Sequence, residues 1–137
     1  MATILKISEA TTLAIHAMIY IAAYPELPVS TAKIAKRFNV SAAHLSKVMQ
    51  RLTHIGLLRS QRGPSGGFLL TRPAEQITLL EIYEAIEGKL PTAVCLLETP
   101  ACSGEICVIS KLLQNIHKEV DKFLRKTTID KQAKVFK

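Results

Sequence analysis

Tryptophan is absent from the 137 residues, glycine and proline number only six each, and there are three cysteines. Neither repeats nor low-complexity tracts occur, which excludes fibrous and disordered classes and leaves one ordinary globular domain. Three is an odd number of cysteines, and no basic-then-apolar leader precedes them. A secreted disulfide framework is therefore not expected; the thiols should be reduced and the protein cytoplasmic. The longest apolar stretch, Leu13 to Tyr24, is interrupted by His16 and falls short of the roughly 18 to 20 residues of a membrane span. No nucleophile beside a base, phosphate-cradling loop or carboxylate pair is visible, so an enzyme is not expected. A chain of this length buries about 70% of its unfolded surface, so it needs no metal merely to stay folded.

The most informative absence is acidic. Between Glu26 and Glu75 there is no Asp or Glu, whereas Lys33, Lys36, Arg37, Lys47, Arg51, Arg59, Arg62 and Arg72 all lie there. That block alone exceeds the net charge of +7. Residues 73–110 reverse the balance with six acids against Lys89, and the segment from Lys111 is basic again. Segregation on this scale is the electrostatic footprint expected for phosphates, and points to nucleic acid as the partner.

Caps and periodicity give the organisation. Ser8 caps a first helix to about Tyr24, stopped by Pro25 and Pro28, with apolar residues nearly all round. Ser30 caps a short helix to about Arg37, with Val29 and Ile34 as a hydrophobic staple. Ser41 caps the next, Val40 and Leu45 repeat the staple, and Gly56 ends it after the stripe Leu45, Val48, Met49, Leu52 and Ile55. The intervening turn, Phe38-Asn39-Val40, makes this a helix-turn-helix. Strand candidates Leu57 to Gln61 and Phe68 to Thr71 flank Arg62-Gly63-Pro64-Ser65-Gly66-Gly67, a hairpin placed as a wing. Thr78 and Glu81 form a capping box for a helix ending at Gly88, with Ile77 and Ile82 as a third staple. The final helix, from about Ile106 to Lys126, carries Ile109, Leu112, Leu113, Ile116, Val120, Phe123 and Leu124 on one seam. Residues 109–124 span roughly 24 Å of helix, too long a seam for a small domain to cover, so a symmetric helix-to-helix dimer is expected.

The expected fold is thus mostly α with a small β-hairpin wing. Residues 1–88 form a winged helix-turn-helix, 89–108 a cysteine-bearing loop, and 109–137 a dimerisation helix and tail. The stripe of the Ser41 helix turns inward, leaving Ser41, Ala43, His44, Ser46, Lys47 and Arg51 for a major groove. Arg59 stands at the wing base, and Arg62, Gly63, Pro64, Ser65 and Gly66 form a tip thin enough to enter a minor groove or follow a backbone.

Cys95, Cys102 and Cys107 place three soft ligands within 13 residues of a segment with no strong periodicity. Such thiolates suit zinc or an iron–sulfur cluster, although no fourth Cys or His in paired short spacing completes a zinc site in the loop; buried cysteines are otherwise small core hydrophobes. Glu9, Thr12 and His16 share a helix face, and on spacing alone His16 reads as a core histidine. His44, His54 and His117 carry no assigned chemistry.

The run LLRSQRGPSGGFLL from Leu57 to Leu70, a capped helix, three spaced cysteines and a long amphipathic helix together resemble a known family. It is the bacterial winged-helix iron–sulfur regulators typified by IscR and NsrR, the Rrf-type repressors, and the likeness runs from Lys6 to about Ile129. The resemblance implies a homodimer on a palindromic double-stranded DNA operator. In it, a [2Fe–2S] or [4Fe–4S] cluster held by Cys95, Cys102 and Cys107 controls affinity in response to redox state, nitric oxide or cluster supply. Arg62, Gly63, Pro64, Gly66 and Gly67 match the family wing. Where the cluster regulator has a histidine three positions after its last cysteine, this chain has Ser110. The acidic ligand that the nitric-oxide sensor takes from the partner's first helix falls on Thr12. A two-iron redox-sensing branch takes a glutamate and a histidine from that helix, and these fall on Thr12 and His16. His16 is therefore the leading fourth-ligand candidate, with Glu9 behind it. Ser46 stands where the cluster regulator has a glutamate involved in operator choice, so that preference does not carry over. Two rivals stand beside this reading: a cluster-free winged-helix regulator answering to thiol oxidation or a protein partner, and a zinc-stabilised interaction module.

Overall fold

Hydroxyl side chains start the first three helices in the computed structural model, which describes residues 5–92, 94–103 and 105–136. Ser8 Oγ accepts from Thr11 N at 3.2 Å and opens α1, Glu9–Ala23. Ser30 does the same for α2, Thr31–Phe38, and Ser41 for α3, Ala42–Ile55. Each satisfies an amide that has no partner within its helix. Asn39 turns between α2 and α3 in the left-handed region at φ 54°, and Gly56 ends α3 at φ 95°.

The wing follows as an antiparallel pair, β1, Leu58–Gln61, and β2, Gly67–Leu70, in the register Leu58 with Leu70 through Gln61 with Gly67. β1 starts one residue later than expected, because Leu57 N still bonds to Leu52 O and closes the helix end, and β2 lies one residue toward the chain start from its expected position. Val29 exchanges both backbone hydrogen bonds with Phe68, at 3.0 and 2.9 Å, so the residue before the α2 cap is laddered to β2. Gly67 permits this: a Cβ there would sit 2.5 Å from the Val29 carbonyl.

After a 3₁₀ turn, Ala74–Gln76, the Thr78–Glu81 capping box opens α4, Leu79–Glu87. The core lies between α1, α3 and α4, where Met18, Ile21, Ile34, Leu45, Met49, Leu52, Ile77 and Ile82 are fully buried. At the chain-start end of α1, Glu87 Oε1 accepts from Ser8 N at 2.9 Å and from the Thr11 hydroxyl, with Lys6 3.8 Å away.

Residues 89–107 contain no helix or strand among those described. The last long helix, α5, spans Val108–Lys126 and begins two residues after the expected start near Ile106, because Cys107 is its cap: the sulfur accepts from Ser110 N at 3.4 Å. The tail does not trail away. Leu79 N bonds to Thr127 O, Thr78 bridges Thr128, and Ile129 N bonds to Ile77 O. Ile129 is fully buried, and a short helix α6, Asp130–Ala133, lies against α1. Phe136 then joins Tyr20, Tyr24 and Phe38 in an aromatic cluster. Residues 127–136 thus belong to the winged-helix core in space. Among the described residues, no helix is long and apolar enough to cross a membrane.

Candidate nucleic-acid interface and cysteine loop

The amphipathic division of α3 sets the first surface. Leu45, Val48, Met49 and Leu52 are buried, while Ser41, Ala43, Lys47 and Arg51 are exposed and His44 and Ser46 half-buried. The helix therefore offers small groups in its first turn and cations one and two turns on. Arg59, Arg62, Gly63, Pro64 and Ser65 are exposed along the wing. Gly66 has a different task. A Cβ on it would meet Gln61 O at 2.1 Å, and its N–H closes the tip by donating to Gly63 O at 2.9 Å. The positive φ of Gly63, 110°, completes that tight tip.

Of the eight cations in the acid-free block, Arg72 is committed to Glu81 at 2.7 Å. Among the described residues the other seven form no ion pair, although Lys33 lies over the Tyr24 ring at 5.5 Å. Their positive field is left for an external anion. Glu9 reaches this surface from α1, its Oε1 lying 3.7 Å from His44 Nδ1.

The second region is the loop. Cys95 and Cys107 are half-buried, Cys102 is exposed, and all three are free thiols. Cys95 Sγ accepts from Leu97 N at 3.4 Å, and Cys107 Sγ stands at the start of α5. Ser110 is buried and its hydroxyl accepts from Gln114, so the position that lacks the family histidine is used inside α5.

His16 is not the core histidine that spacing alone suggests. It is exposed, as are Glu9 and Thr12 on the same strip of α1, at the margin where Glu9 reaches His44 of α3. Its Nδ1 donates to Thr12 O at 2.7 Å, since a carbonyl only accepts. Nε2 is thereby the ring nitrogen left for a ligand, an arrangement common in metal-binding histidines. Three thiols and this imidazole match an iron–sulfur cluster in donor chemistry. Among the described residues of one chain, however, no three His, Cys, Asp or Glu side chains converge.

Sequence reasoning missed three contributors. Glu87 has a side chain only 6% exposed, and hydrogen bonds from Ser8 and Thr11 hold its carboxyl down at about 2. It ties the end of α4, where the cysteine loop starts, to the first turn of α1. The Val29 bridge and the Phe136 contact were likewise invisible, since each joins residues far apart in the chain. The only available signal was the short apolar spacing Ile129 to Ala133.

Residues 7–134 match the family Rrf2, described as iron-dependent transcriptional regulator. The HTH-type transcriptional regulator IscR of Xenorhabdus nematophila is 30% identical over 122 residues, covering 88% of this chain and 74% of its own. Among solved structures, CymR (YrzC), the global cysteine regulator of B. subtilis, superposes with a TM-score of 0.81 at 31% identity. That match covers 96% of this chain and 98% of CymR. T. potens IscR gives 0.74 at 25% identity, covering 96% and 88%. The hairpin beside α3 is therefore the wing of a winged helix, and the chain belongs to the Rrf2 family of transcriptional regulators.

Proposed function

We propose that the protein is a homodimeric repressor whose α3 and wing read two half-sites of a palindromic operator, and whose cysteine loop makes that binding conditional. The observation that carries the reading is a juxtaposition: three free cysteines lie in the loop joining a winged helix to α5, whose apolar residues Ile109, Leu112 and Phe123 are 39%, 52% and 59% exposed. A second copy paired along α5 covers that seam and brings loops and α1 strips of two chains into one neighbourhood.

Cys95, Cys102 and Cys107 would hold an iron–sulfur cluster, with His16 as the fourth donor and Glu9 as its substitute. Such a cluster supplies a redox centre that also reacts with nitric oxide. The chain's own part is to couple the loop to DNA: the loop leaves α4 at Glu87, whose carboxylate holds the first turn of α1, and α1 packs on α3. A shift at the loop then changes how two α3 helices are spaced. A coupling of about 5- to 150-fold in affinity makes a usable switch.

A second reading drops the cluster and lets thiol oxidation act on the loop. It is favoured by the lack of converging donors among the described residues of one chain. An anaerobic visible spectrum of freshly purified protein, with iron and acid-labile sulfide measured per chain, separates the two. Absorbance at 400–550 nm that is lost in Cys95→Ala, Cys102→Ala and Cys107→Ala supports the cluster. Neither iron nor sulfide after attempted reconstitution leaves a cluster-free regulator answering to thiol oxidation or a protein partner. Zinc with no salt-dependent DNA binding overturns both.

A further inference from the structure

The chain beyond α5 reaches a place that the regulatory reading does not use. From Thr127 it returns along Ile77 to Leu79, and after α6 it arrives at the helix-turn-helix itself. The Phe136 ring lies 5.3 Å from Tyr20 and 5.7 Å from Phe38, and Tyr24 Oη donates to the Phe136 carbonyl at 2.8 Å. Phe38 is the last residue of α2, next to the left-handed Asn39. One segment therefore links the far end of α5 to the joint between α2 and α3. The α4 contact and the irregular cysteine loop also connect α5 to the winged helix. The open strip of α1 meets the same joint, since the His16 ring sets its edge on Phe38 at 6.0 Å.

Phe136 is only half-buried against the core, whereas Ile129 and Ala133 already fasten the tail into it. The tail is thus held without its ring, and what the T-shaped contact with Tyr20 and the tilted contact with Phe38 add is orientation. We propose that Phe136 is a positioning residue: it holds the helix-turn-helix at a fixed angle to α5 and so sets the separation and phase of half-sites that a dimer accepts. This rests on the dimeric operator reading above. Half-sites one helical turn apart rotate by about 34° for each inserted base pair, so a rigid tether rejects insertions and a loose one tolerates them.

The test uses the duplex that wild-type protein selects from a random-sequence pool, its isolated half-site, and versions with one or two base pairs inserted at the centre. Wild type is expected to lose about tenfold in affinity per insertion. Phe136→Ala should bind the inserted duplexes within about twofold of its best, bind the isolated half-site like wild type, and remain dimeric. Phe136→Tyr should keep the wild-type spacing profile, and Tyr24→Phe should relax it slightly. A Phe136→Ala protein with wild-type spacing preference overturns the proposal, as does an equal loss on half-site and full site together with lowered thermal stability. If wild type itself selects no two-half-site duplex, the dimeric operator reading fails first and this inference with it.

Discussion

The winged helix and α5 are built from similar apolar residues and treat them oppositely. In residues 5–88 the helices start on hydroxyl caps and close over a core in which Ile34, Leu45, Met49 and Ile82 have no exposure. In the loop and α5, Leu96, Leu97, Val108 and Leu112 are more than half exposed, and Ile106 almost wholly so. One region is closed within a single chain; the other leaves a large apolar surface open. Large exposed apolar stripes on an otherwise charged helix mark a surface that a partner covers. On the proposed reading, the difference gives rigidity to the part that would meet DNA and dependence on a second chain to the part that carries the thiols.

The comparison breaks most visibly at the seam. Leu112→Glu combined with Phe123→Glu should yield a monomer by sedimentation. Operator affinity should then fall by about 10²- to 10⁴-fold, the avidity of two linked modules, with little change in winged-helix stability. A dimer of unchanged affinity would show that α5 is not the contact.

Next in size is Ile129→Ala, expected to cost about 2–5 kcal/mol in denaturant unfolding, because the residue is fully buried although it follows α5. A cost below about 1 kcal/mol would return the tail to the open region.

Glu87 gives a pH signature. Its carboxyl sits at about 2, held by the hydrogen bonds from Ser8 and Thr11, against an ordinary 4.5. A depressed acid stabilises the fold above its unfolded value, and this contribution fades as the pH falls from 4.5 towards 2. Glu87→Gln should therefore lose about 1.5–3 kcal/mol at neutral pH and show a shallower acid decline in urea titrations between these limits. Parallel acid profiles for the two proteins would rule out this role.

The smallest effect sharpens the comparison from the DNA side. Arg62→Ala should weaken operator binding about tenfold, lower the salt slope by about one ion and leave the melting temperature in place. An unchanged affinity would remove the wing tip from the interface.

Much of the closed region could be read from the chain because its signals are local. Ser8, Ser30, Ser41 and Thr78 each accept the amide three residues on, as their spacing predicts, and both members of the Val29–Ile34 and Ile77–Ile82 staples are buried. His16 was misplaced by spacing because an apolar helix gives no sign of which narrow strip stays open. The start of α5 was placed early because a thiol is not among the usual caps, yet Cys107 acts as one. The return of the tail and the Glu87 bonds depend on partners about 50 to 120 residues away, which no window of sequence contains. For the interface, exposure of Lys47, Arg51 and Arg62 followed from periodicity and turn chemistry, whereas Gly66 proved to serve the turn itself.

The two hydrogen bonds between Val29 and Phe68, with Gly67 flush against the backbone beside them, weld wing and helix-turn-helix into a single casting. On the proposed reading, a reading head whose wing is tied to the helix-turn-helix in this way would not adjust the angle between wing and α3 to suit a stiff or oddly grooved duplex. Accommodation falls to the DNA, whose willingness to bend or narrow differs from one base step to the next. Bases that neither wing nor α3 touches would then enter the choice of site, through the mechanics of the duplex between them.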